Sequence, residues 1–266
     1  MDTPNATSND ANLPGVSHPA AICRSEAVVA GGWNVRWTAS TGSTNDDLVA
    51  AASAGAPDRL VLVADHQVAG RGRMERRWDA PAGANLLVSV LFRIVPRYPH
   101  ALTHAVALSA AEASTRVAGV TPDLKWPNDL LVAGAKLAGI LSTAGPLQGT
   151  PRRPAFVVVG LGLNVGWAPD GAVCLANLAA RAVNRDEVLA TLLTALDGLL
   201  ASTEEALHER YRQRLSSLDR EVRVELPNDR VIEGRALDVE NDGRLVVLDS
   251  SGVIHRLDVG DIVHLR

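Results

Sequence analysis

Arg71-Gly72-Arg73-Met74-Glu75-Arg76-Arg77 sets four guanidinium groups within seven residues, on a segment entered through Gly70, in a chain whose formal charge is −4. Arginine stays charged and presents a planar fork of donors, so the cluster suits a ligand with several negative oxygens, a carboxylate or a phosphate. A solvated basic loop is the plain alternative. Lys125-Trp126-Pro127-Asn128-Asp129 is a second constellation. Pro127 pushes Trp126 toward an extended conformation and removes a ladder donor, which suits an irregular strand in a cleft. Asn128 and Asp129 set an amide beside a carboxylate, chemistry for a ribose, a base edge or a phosphate-bound Mg²⁺, with a simple turn as the alternative. Lys136 follows across a hairpin, between apolar neighbours, and the register decides whether it sides with Asn128 or Asp129. Trp78, Trp126 and Trp167, three of five tryptophans beside only two Phe and two Tyr, fall next to these segments. They are flat walls for a ring ligand or ordinary core.

The elements that must hold these residues are readable from periodicity. Trp33 to Thr38 alternates as a strand, Ser40 to Asn45 supplies turn residues and caps, and Asp46 to Ala54 follows as a helix. Leu60 to Ala64 is a buried-strand run that delivers Asp65, His66 and Gln67 at its end, just before the arginines. Leu86 to Ile94 reads as a strand and Leu102 to Ala118 as an alanine-rich helix. Leu124 to Val132 turns at Ala133-Gly134-Ala135 and returns as Lys136 to Ser142. Phe156 to Val165 is a central strand whose Gly160 and Gly162 let something approach its backbone closely. Asp186 to about Leu215 has helical spacing for one or two long helices. Beyond Leu218, Glu221–Val224, Val231–Ile232, Arg235–Val239, Arg244–Leu248 and Val253–Leu257 are short strands parted by turn residues, a small barrel.

Composition narrows the function classes. The 266 residues, 47% hydrophobic and 21% charged, are those of an ordinary globular protein. A pI of about 6.0 argues against a broad face for duplex nucleic acid. Cys23 and Cys174, the two cysteines, are far apart and read as reduced thiols. The opening twenty residues show no secretory signal, and no apolar run reaches a membrane span, so a cytoplasmic location is expected. Residues 1–22 form a polar, mobile tail in this reading, followed by a catalytic domain over 23–217 and a small β domain over 218–266. Gly160-Leu161-Gly162-Leu163-Asn164-Val165-Gly166 is not a dinucleotide fingerprint, because Val165 stands where a third glycine belongs and a loop follows. No phosphate-binding loop with its lysine and hydroxyl occurs. The seven histidines are scattered, with His100 and His104 four apart but no third ligand nearby, so they read as structural or solvated.

Taken in order, Ser43-Thr44-Asn45, Gln67 with Gly70-Arg71-Gly72-Arg73 and Trp78, Lys125-Trp126-Pro127-Asn128-Asp129, Lys136-Leu137-Ala138-Gly139-Ile140-Leu141 and Gly160-Leu161-Gly162-Leu163-Asn164-Val165 resemble the motifs of the biotin protein ligases. The match runs motif by motif over about residues 33 to 170 and more loosely over the C-terminal part. The resemblance implies an α+β fold like the catalytic domain of class II aminoacyl-tRNA synthetases, a mixed sheet flanked by helices, followed by an SH3-like β-barrel. It implies activation of biotin by ATP, with Mg²⁺, to biotinyl-5′-AMP, then transfer to a lysine of a biotin carboxyl carrier domain. It assigns Ser43, Thr44, Asn45 and Gln67 to the ureido ring of biotin, and Arg71, Gly72 and Arg73 to carboxylate and phosphates. Lys136 falls at the carboxylate and α-phosphate, Trp78, Asn128 and Asp129 on the nucleotide side with Asp129 at the metal, Asn164 at adenine or ribose, and Arg266 at the nucleotide. Lys136, Arg71 and Arg73 are the implied catalytic cations. Glu75 stands where the family usually has glycine, so the loop is expected to be stiffer or differently closed. About thirty polar residues cannot form a winged helix-turn-helix, so no DNA partner and a monomer are expected, and without a long apolar run no membrane partner is expected either. A lipoate ligase and a non-enzymatic biotin-binding module are the rival readings.

Overall fold

The computed structural model describes residues 32–227, 230–258 and 260–265. The tail at 1–22, Cys23 and Arg266 therefore lie outside the described residues. The body is a seven-stranded sheet in the order β1-β2-β3-β9-β6-β5-β4. Its strands are β1 (Asn34–Thr41), β2 (Leu60–Gln67), β3 (Leu86–Phe92), β4 (Asp123–Lys125), β5 (Asp129–Val132), β6 (Ala135–Ala144) and β9 (Val157–Leu163). A two-residue pair, β7 (Leu147–Gln148) and β8 (Arg153–Pro154), links β6 to β9. β1 runs parallel to β2 and every other pairing in the sheet is antiparallel, so the sheet is mixed.

The central strands are apolar on both faces because both faces are covered. All seven residues of β3, Leu-Leu-Val-Ser-Val-Leu-Phe, are buried. On one face, Leu48 and Ala52 of α1 (Thr44–Ser53) pack on Leu60, Leu91, Phe156 and Val158. On the other, α2 (His100–Ala118) lies against Val61, Val88, Val90 and Val159, with α4 (Arg185–Leu200) and α5 (Glu204–Gln213) outside it. Small side chains let α2 be buried nearly all round, and Gly119 closes it in the left-handed conformation that its φ of 69° requires. The single turn α3 (Leu175–Leu178) follows β9.

Two expectations are corrected in the hairpin region. The run expected as one strand from Leu124 to Val132 is split at a cis Trp126–Pro127 peptide into β4 and β5, which pair with each other, Lys125 opposite Asp129. The turn to β6 is two residues, Ala133 and Gly134, both at positive φ, so the return strand begins at Ala135. The long helical stretch breaks at Thr203, whose hydroxyl caps α5 by accepting from the Ala206 N–H. The C-terminal part is a five-stranded antiparallel sheet, β13-β12-β11-β10-β14. It is built from β10 (Glu221–Glu225), β11 (Val231–Val239), β12 (Leu245–Asp249), β13 (Ile254–Leu257) and β14 (Asp261–His264). Val231–Ile232 and Arg235–Val239 belong to the single strand β11, with a register irregularity between Ala236 and Asp238. Trp126 pins this sheet to the body, its indole N–H donating to the Gly243 carbonyl at 2.9 Å. No helix among the described residues is long and apolar enough to cross a membrane.

Candidate active site

A cavity of about 340 Å³ opens on the α1 face of the sheet, and the glycines of β6 and β9 are its floor. Gly139 pairs with Gly162, and Gly160 lies between Ser89 and Leu141. A Cβ on Gly160 would stand 2.5 Å from Asn45 Oδ1, and one on Gly162 would collide with the Trp78 indole. The expected close approach is thus made by two side chains that line the cavity.

At one end sits a hydrogen-bonded polar cluster. Ser43 caps α1, its hydroxyl accepting from the Asp46 N–H, which turns Thr44 and Asn45 toward the sheet. Asn45 Nδ2 donates to the Leu141 carbonyl at 3.0 Å, and Ser89 Oγ donates to Asn45 Oδ1 at 2.9 Å. Gln67 Oε1 accepts from the Thr44 N–H at 2.8 Å and from the Thr44 hydroxyl at 3.0 Å. Thr44 Oγ1 and Ser89 Oγ are 2.8 Å apart. Two hydroxyl protons serve three contacts among these groups, so the cluster can rearrange its protons around a ligand that brings donors and an acceptor.

The other end is cationic. Gly70 is the neck of the arginine loop: a Cβ there would strike the Trp78 carbonyl, while the Trp78 N–H donates to Gly70 O at 2.9 Å. Arg71 pairs with Asp46, Arg77 with Asp79 at 2.9 Å, and Arg76 with Asp261 of β14. Arg73 lies 3.7 Å from Asp261, donates to the Gly260 carbonyl at 3.0 Å and reaches Asn128 Oδ1 at 3.4 Å. Burial pulls the Arg73 pKa below its usual value, and Asp261 and Asp129 oppose that shift. Lys136 Nζ is 2.7 Å from Asp129 and 5.6 Å from the Trp78 ring centroid. The register left open by the sequence is therefore settled in favour of Asp129, with Lys136 paired to Leu131 after β6 skips Leu137 in the ladder. Each of the four arginines of the loop thus has a carboxylate within 4 Å.

Most of the residues singled out from sequence converge on this cavity: Ser43, Thr44, Asn45, Gln67, Arg71, Gly72, Arg73, Trp78, Asn128, Asp129, Lys136 and Asn164 all line it. Asn128 is held by its Nδ2 donating to the Ile140 carbonyl at 2.7 Å. Trp126 is core, 2% exposed, and Trp167 does not line the cavity, so Trp78 alone of the three tryptophans is a wall. His104 stacks on Tyr211 at 3.6 Å between α2 and α5, away from the site. No group of three or more metal-ligating side chains occurs among the described residues. Ser89 and Asp261, polar residues of the cavity lining, escaped the sequence reading, and so did Asn85, buried behind it. A lone hydroxyl inside the apolar run of β3 was a readable signal for Ser89, whereas Asp261 meets Arg73 only through the fold.

The chain matches the biotin/lipoate A/B protein ligase family over residues 37–164 and the biotin protein ligase C-terminal domain over residues 217–265. It is 39% identical over 259 residues to a biotin–[acetyl-CoA-carboxylase] ligase of Mycobacterium tuberculosis, covering 91% of this chain and 94% of that protein. A bifunctional ligase/repressor of Bacillus subtilis is 34% identical over 154 residues, 53% of this chain and 46% of the relative. Among solved structures, the biotin protein ligase of Aquifex aeolicus in complex with biotin and ATP superposes with a TM-score of 0.72 at 25% identity, covering 88% of this chain and 99% of that one.

Proposed function

The chain belongs to the biotin protein ligase family, and from that premise we propose that its cavity joins biotin to AMP and passes the biotinyl group to a lysine of a biotin carboxyl carrier domain. It is an ATP-dependent ligase working in two half-reactions. A biotin carboxylate oxygen attacks the α-phosphorus of ATP, releasing pyrophosphate and leaving biotinyl-5′-adenylate. The acceptor lysine amine then attacks the carbonyl carbon of that anhydride, forming an amide and releasing AMP.

The polar end takes the ureido ring, whose carbonyl and two N–H groups need partners once out of water. Ser43, Thr44, Asn45 and Gln67 supply them, joined by Ser89. Arg71, Gly72 and Arg73 surround the carboxylate and phosphates, and Lys136 places its ammonium where negative charge shifts during transfer. Trp78 is a flat wall on the nucleotide side, with Asn128 and Asn164 toward the nucleotide, and Arg266 is assigned to the nucleotide by the family resemblance alone. Mg²⁺ would be held by the Asp129 carboxylate, which lines the cavity and is paired with Lys136 at 2.7 Å, with phosphate oxygens and water completing its shell, and it would offset phosphate charge. The observation that carries the reading is one glycine-floored cavity with amide and hydroxyl groups at one end and Arg73 with Lys136 at the other. A lipoyl substrate has no ureido group for the polar end, and a mere binding module needs no ammonium at the reacting atoms.

Incubation with labelled biotin, ATP and Mg²⁺, with and without a carrier domain, is expected to give pyrophosphate and adenylate alone, and labelled acceptor when the carrier is present. Lipoate replacing biotin, or biotin binding without pyrophosphate, would contradict the assignment.

A further inference from the structure

Asn85, the residue immediately before β3, is fully buried, and its side chain is engaged at both amide atoms. Oδ1 accepts from the Val165 N–H at 3.0 Å and from the Trp167 N–H at 3.2 Å. Nδ2 donates to Asn164 Oδ1 at 3.2 Å. Asn164 Nδ2 donates onward to the Val173 carbonyl at 3.1 Å, and the Val173 N–H donates to the Lys136 carbonyl at 2.9 Å. A row of hydrogen bonds thus runs from Asn85 through Asn164 and the segment after β9 to the backbone of Lys136. The Asn85 carbonyl is itself held by Arg185, which also pairs with Asp65 at 2.7 Å.

The row decides which way the Asn164 amide faces. Reversed, it would set Oδ1 against the Val173 carbonyl and Nδ2 against the Asn85 amide N–H₂, losing two bonds at a residue only 2% exposed. As built, Asn164 keeps one N–H and one lone pair uncommitted on the cavity wall. The polar end of the cavity stands on separate bonds among Thr44, Asn45, Gln67 and Ser89, and among the described residues no hydrogen bond joins the two sets.

We propose that Asn85 is a positioning residue for the nucleotide half of the reaction: it fixes the orientation of Asn164 and the course of residues 164–173, and through them the place of Lys136. This rests on the reading of the cavity as a biotin-activating site. Asn85 touches no substrate, and its effect travels through Asn164.

Asn85→Asp tests this because it keeps the acceptor for the two backbone N–H groups and turns the donor facing Asn164 into an oxygen. In biotin-dependent ATP–pyrophosphate exchange the KM for ATP is expected to rise about tenfold or more with a fall in kcat, while calorimetric biotin affinity without nucleotide stays within about twofold. In an Asn164→Ala background the same change is expected to shrink below about threefold, since the two residues act as one unit. Unchanged ATP parameters, biotin affinity falling in step with ATP, or a full effect without the Asn164 amide would each overturn the role. Asn85→Ser, which keeps a short acceptor and no amide donor, is read by the same comparison if Asn85→Asp does not fold. Wild-type protein without exchange would remove the activity and this role together; wild-type exchange with an indifferent Asn85→Asp removes the role alone.

Discussion

A methyl group added at Gly160 would stand 2.5 Å from Asn45 Oδ1 and 3.2 Å from Ser89 Oγ, two atoms of the proposed ureido site. Gly160→Ala is therefore expected to weaken biotin binding at least tenfold by calorimetry, with stability lowered by about 1–3 kcal/mol as the overlap is relieved, and an unaltered affinity would detach that cluster from biotin. Lys136→Ala acts at the other end. Removing one preorganised charge from a reacting centre typically costs about 10²–10³-fold in kcat, and this lysine side chain is 39% exposed, so the fold should survive. Unchanged biotin-dependent pyrophosphate exchange would remove Lys136 from the chemistry. Residues such as Lys136, Asn128 and Asp129 were legible because charged or amide groups sat among apolar neighbours in a short run. Asn85 was not, since an asparagine after Gly83 and Ala84 reads as turn chemistry until the fold brings Val165 and Trp167 onto it. Asp261 was equally silent, being 188 residues beyond Arg73 in sequence and joined to it only in space.

At the level of elements, the arginine loop is held by ion pairs to α1, to β14 and within itself. Its exposed pairs, Arg71 with Asp46 and Arg77 with Asp79, are of the kind that contributes about 0–1 kcal/mol, so a phosphate can displace them at small cost. Trypsin cutting near Arg76 is expected to slow when biotin and ATP are both present, because the ligand's oxygens then engage the arginines, and equal cutting rates would argue that the loop makes no contact with them. The α2–α5 contact carries a pH dependence of its own. Burial, then His100 and His208, push the His104 pKa down to about 3, and burial also lowers that of His100. His104 is neutral in the fold and takes up its proton on unfolding near pH 6.5, so its contribution is complete above that value. The contribution is lost as pH falls toward 3, by at most about 1.4 kcal/mol per pH unit. Urea unfolding at pH 7 and pH 5 should show a steeper loss for wild type than for His104→Phe, and equal losses would contradict the assignment. Apolar runs and turn residues made most strands readable, and Pro127 marked the run Leu124–Val132 as irregular, but its two halves pairing with each other as β4 and β5 is set by the fold and not by periodicity.

For the whole molecule, the C-terminal sheet is part of the site. Trp126 anchors it through Gly243, and β14 with the residue before it places the Gly260 carbonyl and Asp261 against Arg73 and Arg76. The two-part layout was visible in the change of pattern near Leu218, whereas the reach of the second part into the cavity was not. In the proposed reaction one cavity holds the biotin ring at Asn45 and Gln67 while Arg73 and Lys136 offset the negative oxygens of the reacting acid and phosphate. A crystal structure with a non-hydrolysable biotinyl-adenylate analogue tests it most directly. The ureido ring is expected within hydrogen-bond distance of Asn45 and the phosphoryl group within reach of Arg73 and Lys136. An analogue bound elsewhere, with those cations facing only solvent or their carboxylates, would contradict it.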